Sequence, residues 1–353
     1  MRAPRRTRVE VATPAPRAVW QAAYDADPKA LATQSAAWLD AVCAAGPYVD
    51  ASRAYDFGGG RVAVLPLVAR RGLPRALALR ASLPPAWGMG GLVAADGAGA
   101  AEIASVFADL ASLPALRTTV RPSPLEAALW EAARPPGCVA VRRRAHVLDL
   151  SGGFACVWSD RFSGNARTSV RRAEKAGVAV ESDATGRLMP VFHELYLQSL
   201  DRWARKQHEP RVLAQWRGRR RDSLRKLMTL ARVLGDDCRV WVASLDGRAL
   251  AAIVVLGGPN AHYTRGAMSG DVPRGVTPND LLHSRAIEDA CARGCRRYHM
   301  GESGWSRPLS RFKEKFGAVP VDYAEYVLER VPLTSADRRL RGLVKSALRF
   351  RDA

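Results

Sequence analysis

At 353 residues the chain is longer than one hydrophobic core ordinarily uses, and 48% hydrophobic with 25% charged residues is the balance of a folded protein, not a disordered or fibrous one. No stretch reaches the ~18 apolar residues of a membrane span, and the arginine-rich N-terminus lacks the apolar core of a secretory signal, so a cytoplasmic protein is expected. The formal net charge of +20 is the outlier: Arg161 to Arg232 alone holds 17 Lys and Arg against 7 Asp and Glu, a basic face suited to a polyanion such as tRNA or anionic lipid head groups.

In chain order, an amphipathic helix is predicted around Val19 to Tyr24, and Ser35 caps a second that carries Trp38, Leu39 and Val42. Ala54 to Phe57, a Gly58-Gly59-Gly60 turn and Val62 to Val68 predict a hairpin, with a third strand near Ala76 to Leu83. After a Pro/Gly loop come a helix near Ala101 to Leu110, a strand at Arg117 to Val120, a helix near Leu125 to Ala133 and a strand at Cys138 to Arg142.

The second half repeats this order. Ala145 to Leu150 predicts a strand, Asn165 to Ala176 and Val191 to Arg205 predict helices, and a basic helix follows from Val212 to Val233. Cys238 to Ser244 turns through Asp246-Gly247 into Leu250 to Leu256, and Ala261 to Ala267 makes a third strand. A helix to Ala292, a strand at Arg296 to Met300, a short helix near Leu309 to Phe316 and a strand at Tyr323 to Leu328 complete the half. The repeated order predicts a mixed α/β (α+β) protein of two similar domains, residues 1–144 and 145–333. A final helix from Thr334 has Leu340, Leu343, Val344, Ala347 and Leu348 on one face and is expected to pack back on the body, on the N-terminal domain.

Two segments carry the candidate chemistry. Val276-Thr277-Pro278-Asn279-Asp280 is the best helix start in the chain, with Thr277 as cap, Pro278 at the first helical position and Asp280 where a capping box places an acid. Its free N–H groups, with Arg274 just ahead, suit a phosphate. Tyr298-His-Met-Gly-Glu302-Ser-Gly-Trp305, followed by Leu309 to Gly317, is the densest run of reactive groups; Phe312 and Phe316 share a helix face, and Lys313 lies beside them. The six cysteines, Cys43, Cys138, Cys156, Cys238, Cys291 and Cys295, include no Cys-x-x-Cys pair, so free thiols and no metal site are expected. The phosphate loop, the serine-hydrolase elbow and the dinucleotide fingerprint are missing, and the six dispersed histidines read as structural.

Asn165-Ala-Arg167-Thr-Ser-Val170-Arg171-Arg172-Ala173-Glu174-Lys175-Ala-Gly177-Val178 resembles an element of Fem-like transferases, and Phe312-Lys313-Glu314-Lys315-Phe316-Gly317 resembles their FKxxFG element. Ser35 to Leu39 and Val64 to Val68 resemble stretches of the related BioF-like families, so the resemblance spans residues 17–332. It implies two tandem GNAT-like domains, each a mixed, mostly antiparallel sheet flanked by helices, with the catalytic one C-terminal.

It also implies N-acyl transfer from acyl-CoA or aminoacyl-tRNA, as a co-substrate and not a permanently bound cofactor, to a primary amine of a small-molecule or cell-envelope precursor. Arg274-Gly275-Val276-Thr277-Pro278-Asn279 supplies only fragments of the acyl-CoA fingerprint. Lys313 is the candidate oxyanion stabiliser and Glu302 the candidate base. Arg274, Thr277, Asn279 and Asp280 are candidates for the donor's phosphates, and Arg265, Tyr298, Trp305 and Arg167 for substrate. The alternative is a catalytically idle protein that binds nucleic acid or anionic lipid.

Overall fold

The computed structural model describes residues 9–347. The described residues form two compact units, 9–143 with 322–332 and 144–321 with 333–347.

In the first unit β1 (Glu10–Ala12), α1 (Arg17–Ala26), α2 (Ala36–Ala45), β2 (Tyr48–Asp50), β3 (Arg53–Asp56), β4 (Val62–Leu65), β5 (Val68–Arg70), β6 (Leu79–Ala81), α3 (Ala100–Ser112), β7 (Arg117–Val120) and α4 (Ala127–Ala132) lead to β8 (Val139–Asp149), which carries the chain into the second unit. There follow α5 (Gly153–Cys156), α6 (Gly164–Lys175), β9 (Ala179–Asp183), α7 (Met189–Gln207), α8 (Arg211–Arg221), α9 (Leu224–Leu234), β10 (Cys238–Leu245), β11 (Arg248–Leu256), β12 (Ala261–Met268), α10 (Pro278–Ala292), β13 (Arg297–Glu302) and α11 (Arg307–Glu314). β14 (Val319–Glu329) then returns to the first unit and α12 (Leu333–Ala347) belongs to the second. The return of residues 322–332 is why no single cut near residue 144 divides the chain.

The predicted first hairpin is present, but its continuation is not. β3 and β4 pair across the glycine turn in a small antiparallel sheet, β1-β3-β4, whereas β5 joins a second sheet ordered β2-β5-β6-β7-β14. The run predicted as one strand, Val62 to Val68, breaks at Pro66-Leu67, because proline has no N–H to give a ladder. The first-half meander is therefore split between two sheets. Around it Phe107, Trp130 and Tyr326 pack edge to face and stacked, with centroids 5.4 to 6.0 Å apart.

The second unit has the meander as predicted: its strands run β8-β13-β12-β11-β10-β9. All neighbours are antiparallel except β12 and β13, which are parallel because α10 crosses over between them. The Asp246-Gly247 turn sits at the β10–β11 hairpin, with φ of 50° and 73°. One face of this sheet is covered by α6 and α10 through Trp241, Ile253, Leu281, Leu282, Ile287 and Tyr298.

The predicted basic helix from Val212 to Val233 is two helices. Asp222 and Ser223 interrupt it, and the Ser223 hydroxyl accepts from the Lys226 N–H at 3.2 Å to cap α9. Of the face predicted for the final helix, Leu340 and Leu343 are exposed; Leu348 lies outside the described residues. Among the described residues no helix is long and apolar enough to cross a membrane, and no cluster of His, Cys, Asp or Glu could hold a metal ion.

Candidate active site

The site is organised by the parallel pair at the middle of the second unit's sheet. β12 and β13 are in register at only two positions, Ala261 opposite Tyr298 and His262 opposite His299. Beyond them both strands are irregular: the ladder of β11 with β12 skips Thr264, and that of β13 with β8 jumps between His299 and Glu302, where Gly301 has φ of +69°. Bulges bend strands and re-aim their ends, so the C-terminal ends of β12 and β13 are free to part.

The corner beyond β13 is closed by Lys313. Its helix, α11, is held by Phe312 and Phe316, whose rings lie 5.4 and 5.5 Å from His283, while Phe316 also packs edge to face on Phe162 at 5.1 Å. Gly317 ends this segment with φ of +83°, and a Cβ there would lie 2.6 Å from that of Arg161, so glycine is required. Lys313 is thus turned inward and left 1% exposed, and its Nζ donates to the carbonyls of Gly301 at 2.9 Å and Glu302 at 2.8 Å. Burial pulls its pKa down to about 7, against a smaller upward pull from Glu302.

Trp305, 62% exposed, follows the strand and lies under the Arg144 guanidinium at 4.7 Å. Lys313, Glu302 and Trp305 are therefore neighbours by position at the end of β13. Beside them, Ser303 contacts His146 of β8, and His146 contacts Glu314. Sequence reasoning passed over this trio; nothing local signals a contact between residues 157 apart.

The helix start behaves differently from its prediction. Thr277 does not cap α10; its hydroxyl donates to the Ser169 carbonyl of α6 at 2.9 Å, tying the two helices together. Asp280, buried, forms no capping box but pairs with Lys315, and burial raises its pKa against that pairing. Asn279 donates to the Met268 sulfur at 3.4 Å, and Arg274 is exposed on the loop before the helix.

Three residues proposed for substrate are occupied elsewhere. Arg265 grips buried Asp222 with Nε at 3.0 Å and Nη2 at 3.1 Å, and Lys226 reaches the same carboxylate at 2.9 Å, so Asp222 uses the guanidinium that was expected to meet substrate. Tyr298 is fully buried in the core with its hydroxyl 3.5 Å from His283 Nδ1. Arg167 gives one nitrogen to the carbonyls of Trp158, Ser159 and Phe162 at 3.1, 2.8 and 2.6 Å, closing the wide turn of Val157–Arg161 that precedes its own helix. A hollow of about 350 Å³ lies in the first unit beside Val19, Phe57 and Arg61 and contains none of the candidate residues.

Residues 160–314 match the acetyltransferase (GNAT) domain family, a span that includes β12, α10, β13 and Lys313. No curated protein sequence matches the chain. Among solved structures it is similar to FemX, with a TM-score of 0.66 at 12% identity over 93% of this chain and 99% of that one. A conserved protein of unknown function from Bacteroides thetaiotaomicron gives 0.55 at 10% identity over 89% and 97%, and L-PGS from Bacillus licheniformis gives 0.50 at 14% over 91% and 95%. At such identities these structures establish the fold. Residues 160–314 of the second unit are thus similar to the acetyltransferase (GNAT) domain, within a chain whose fold is similar to that of FemX.

Proposed function

We propose that the second unit transfers an acyl or aminoacyl group from an activated thioester or ester, acyl-CoA or aminoacyl-tRNA, to a primary amine of a cell-wall, polysaccharide or natural-product precursor. The observation that carries this reading is the short β12–β13 ladder inside the GNAT-matching segment, which ends after His262 and His299, with Lys313 buried against the Gly301 and Glu302 carbonyls beyond its end.

A strand that leaves its neighbour exposes main-chain N–H and C=O groups, which can hold the amide or ribose part of an extended donor as a further strand would. The N-terminal turn of α10 offers N–H groups and a positive dipole end to the donor's phosphates, with Arg274 beside it. A neutral amine then attacks the carbonyl carbon, forming the C–N bond and an oxyanionic tetrahedral intermediate that collapses as the C–S or C–O bond breaks. Two of the three hydrogens of the Lys313 ammonium are committed to carbonyls, and the third is the candidate donor to the oxyanion; one such donor is worth roughly 3 kcal/mol.

The basic surface of the second unit favours aminoacyl-tRNA as donor. Arg205, Lys206, Arg219 and Arg220 are exposed and have no carboxylate within ion-pairing distance among the described residues, and Arg220 lies 4.9 Å over exposed Trp216. The same surface would serve a non-catalytic protein that binds nucleic acid or anionic lipid. Binding of acetyl-CoA and of bulk charged tRNA, at low and at physiological salt, followed by transfer to a panel of primary amines, separates these readings. Saturable, salt-resistant CoA binding with transfer makes this an acyl-CoA enzyme, tRNA binding with aminoacyl transfer makes it a tRNA-dependent one, and polyanion binding without transfer overturns the enzymatic reading.

A further inference from the structure

Ser303 and Glu314, from the segment around β13 and α11, form one line beside Lys313 with His146 of β8. Ser303 Oγ lies 2.9 Å from His146 Nδ1, and His146 Nε2 lies 3.3 Å from Glu314 Oε1. The His146 ring is fully buried and Ser303 nearly so, whereas the Glu314 side chain is 44% exposed, so the line runs from the interior to water.

The direction of the hydrogens follows from the partners. An ionised carboxylate only accepts, so Nε2 carries the hydrogen towards Glu314. Burial holds the His146 pKa below its usual value, with Lys313 and Arg144 acting in the same direction and Glu314 against them, so the ring is neutral and Nδ1 is bare. Ser303 must then donate its hydroxyl hydrogen to Nδ1, which leaves the oxygen's lone pairs for a donor approaching from the other side.

We infer that Ser303, His146 and Glu314 form a proton relay that takes the proton lost by the attacking amine and delivers it to solvent. The inference rests on the acyl-transfer reading above. As the C–N bond forms, the amine's proton passes to Ser303 Oγ, the hydroxyl proton to His146 Nδ1, and the Nε2 proton to Glu314, which returns it to water. The leaving thiolate or alkoxide then takes one proton back along the same line, from water through Glu314 to Nε2, from Nδ1 to Ser303 and from Ser303 to the leaving group, which restores the starting tautomer and balances the turnover. Ser303, not Glu302, is then the group that meets the amine, and His146 and Glu314 act through it. The same logic of acceptor, oriented ring and acid governs hydrolytic triads, but here the hydroxyl moves a proton and forms no bond to the acyl group.

The test uses the full-length protein with acetyl-CoA and with bulk aminoacyl-tRNA as donors. With whichever donor the wild type turns over, S303A lowers kcat about 100-fold with the donor KM unchanged, and S303T, which keeps the hydroxyl, recovers most of it. E314Q, at a half-exposed position, lowers kcat about tenfold and moves the acidic limb of its pH profile to lower pH, because the carboxylate that raises the His146 pKa is gone, whereas a purely structural role would leave the limb in place. Nitrogen NMR of the wild type finds His146 with Nε2 protonated and Nδ1 bare. Wild-type kcat and pH profile in S303A and E314Q, or a hydrogen on Nδ1, overturn the relay alone; no transfer from either donor in the wild type overturns the reading of the site and the relay with it.

Discussion

Two corners of the second unit each bury a cation, and they do so by opposite means. At the junction of α8, α9 and β12, Asp222 is buried among Arg265, Lys226 and Arg221, and their positive charge holds its carboxyl far below the usual range despite the opposing effect of burial. At the end of β13, Lys313 gives its hydrogen bonds to two carbonyls, with the Glu302 charge pulling only weakly against burial, and its pKa falls to about 7; Lys226, hydrogen-bonded to a carboxylate, falls to about 8. A buried cation satisfied by a carboxylate ties elements together. One satisfied only by dipoles can change charge near neutral pH, and is the better candidate for chemistry.

The comparison can be broken by mutation. Asp222→Asn leaves three cations facing a neutral amide, and removing one partner of a buried ion cluster costs about 3–5 kcal/mol, so the melting temperature falls steeply while turnover per folded molecule is kept. Loss of turnover in folded protein would place Asp222 in the site.

Lys313→Met is expected to lower turnover at least tenfold. The two carbonyls that Lys313 satisfies are left without their donor, so a further loss of about 1–3 kcal/mol is expected in thermal melting. Unchanged turnover would reduce Lys313 to a latch.

The pH dependence sharpens the same contrast. Because the folded pKa of Lys313 lies below its unfolded value, the unfolded chain binds more protons between about 7 and the ordinary lysine range, and stability rises with pH across that window by up to about 1.4 kcal/mol per unit. Buried His262 and His283, each pulled down to about 3, and His299, whose ring nitrogens lack partners, are likewise neutral in the fold. Each costs about 1.4 kcal/mol of stability per unit as pH falls below 6.5, the unfolded value. Glu126, which burial raises to about 7, acts the other way between about 7 and 4.5, so denaturant midpoints should fall from pH 9 to about 7 and again below about 6.5, where the three histidines outweigh it; a profile flat from pH 9 to 7 would show that Lys313 titrates normally. The smallest effect is expected of Trp305→Ala, which removes the contact with Arg144 and costs about 0.5–1 kcal/mol. A large loss of donor binding instead would make Trp305 part of the site.

Much of the second unit was legible in the sequence because its signals are local. Asp246-Gly247 marks its own turn, the alternation and β-branching of Cys238 to Leu256 mark their strands, and the four-residue spacing of Phe312 and Phe316 puts both on one face and turns Lys313 inward. Two errors of segmentation also had local causes, namely Pro66 inside an apolar run and the capping pair Asp222-Ser223 inside a basic one; a third, the two strands predicted at Cys138 to Arg142 and Ala145 to Leu150, arose because the intervening arginines look like a break but β8 runs through them. The roles of Arg265, Tyr298 and Arg167 were misread for another reason. A cation or a tyrosine looks available until its partner is known, and the partners Asp222 and His283, with the carbonyls of the 157–162 turn, are set by packing.

What the sequence determined by itself was the order of helices and strands, the positions of the turns, the basic character of residues 161–232 and the resemblance to Fem-like transferases, all properties of neighbours along the chain. Only the tertiary structure decided which strands part, which cations are neutralised, and that Ser303 meets His146. Those depend on contacts between residues tens to hundreds of positions apart, and a side chain's protonation and hydrogen-bond direction follow from what is buried against it.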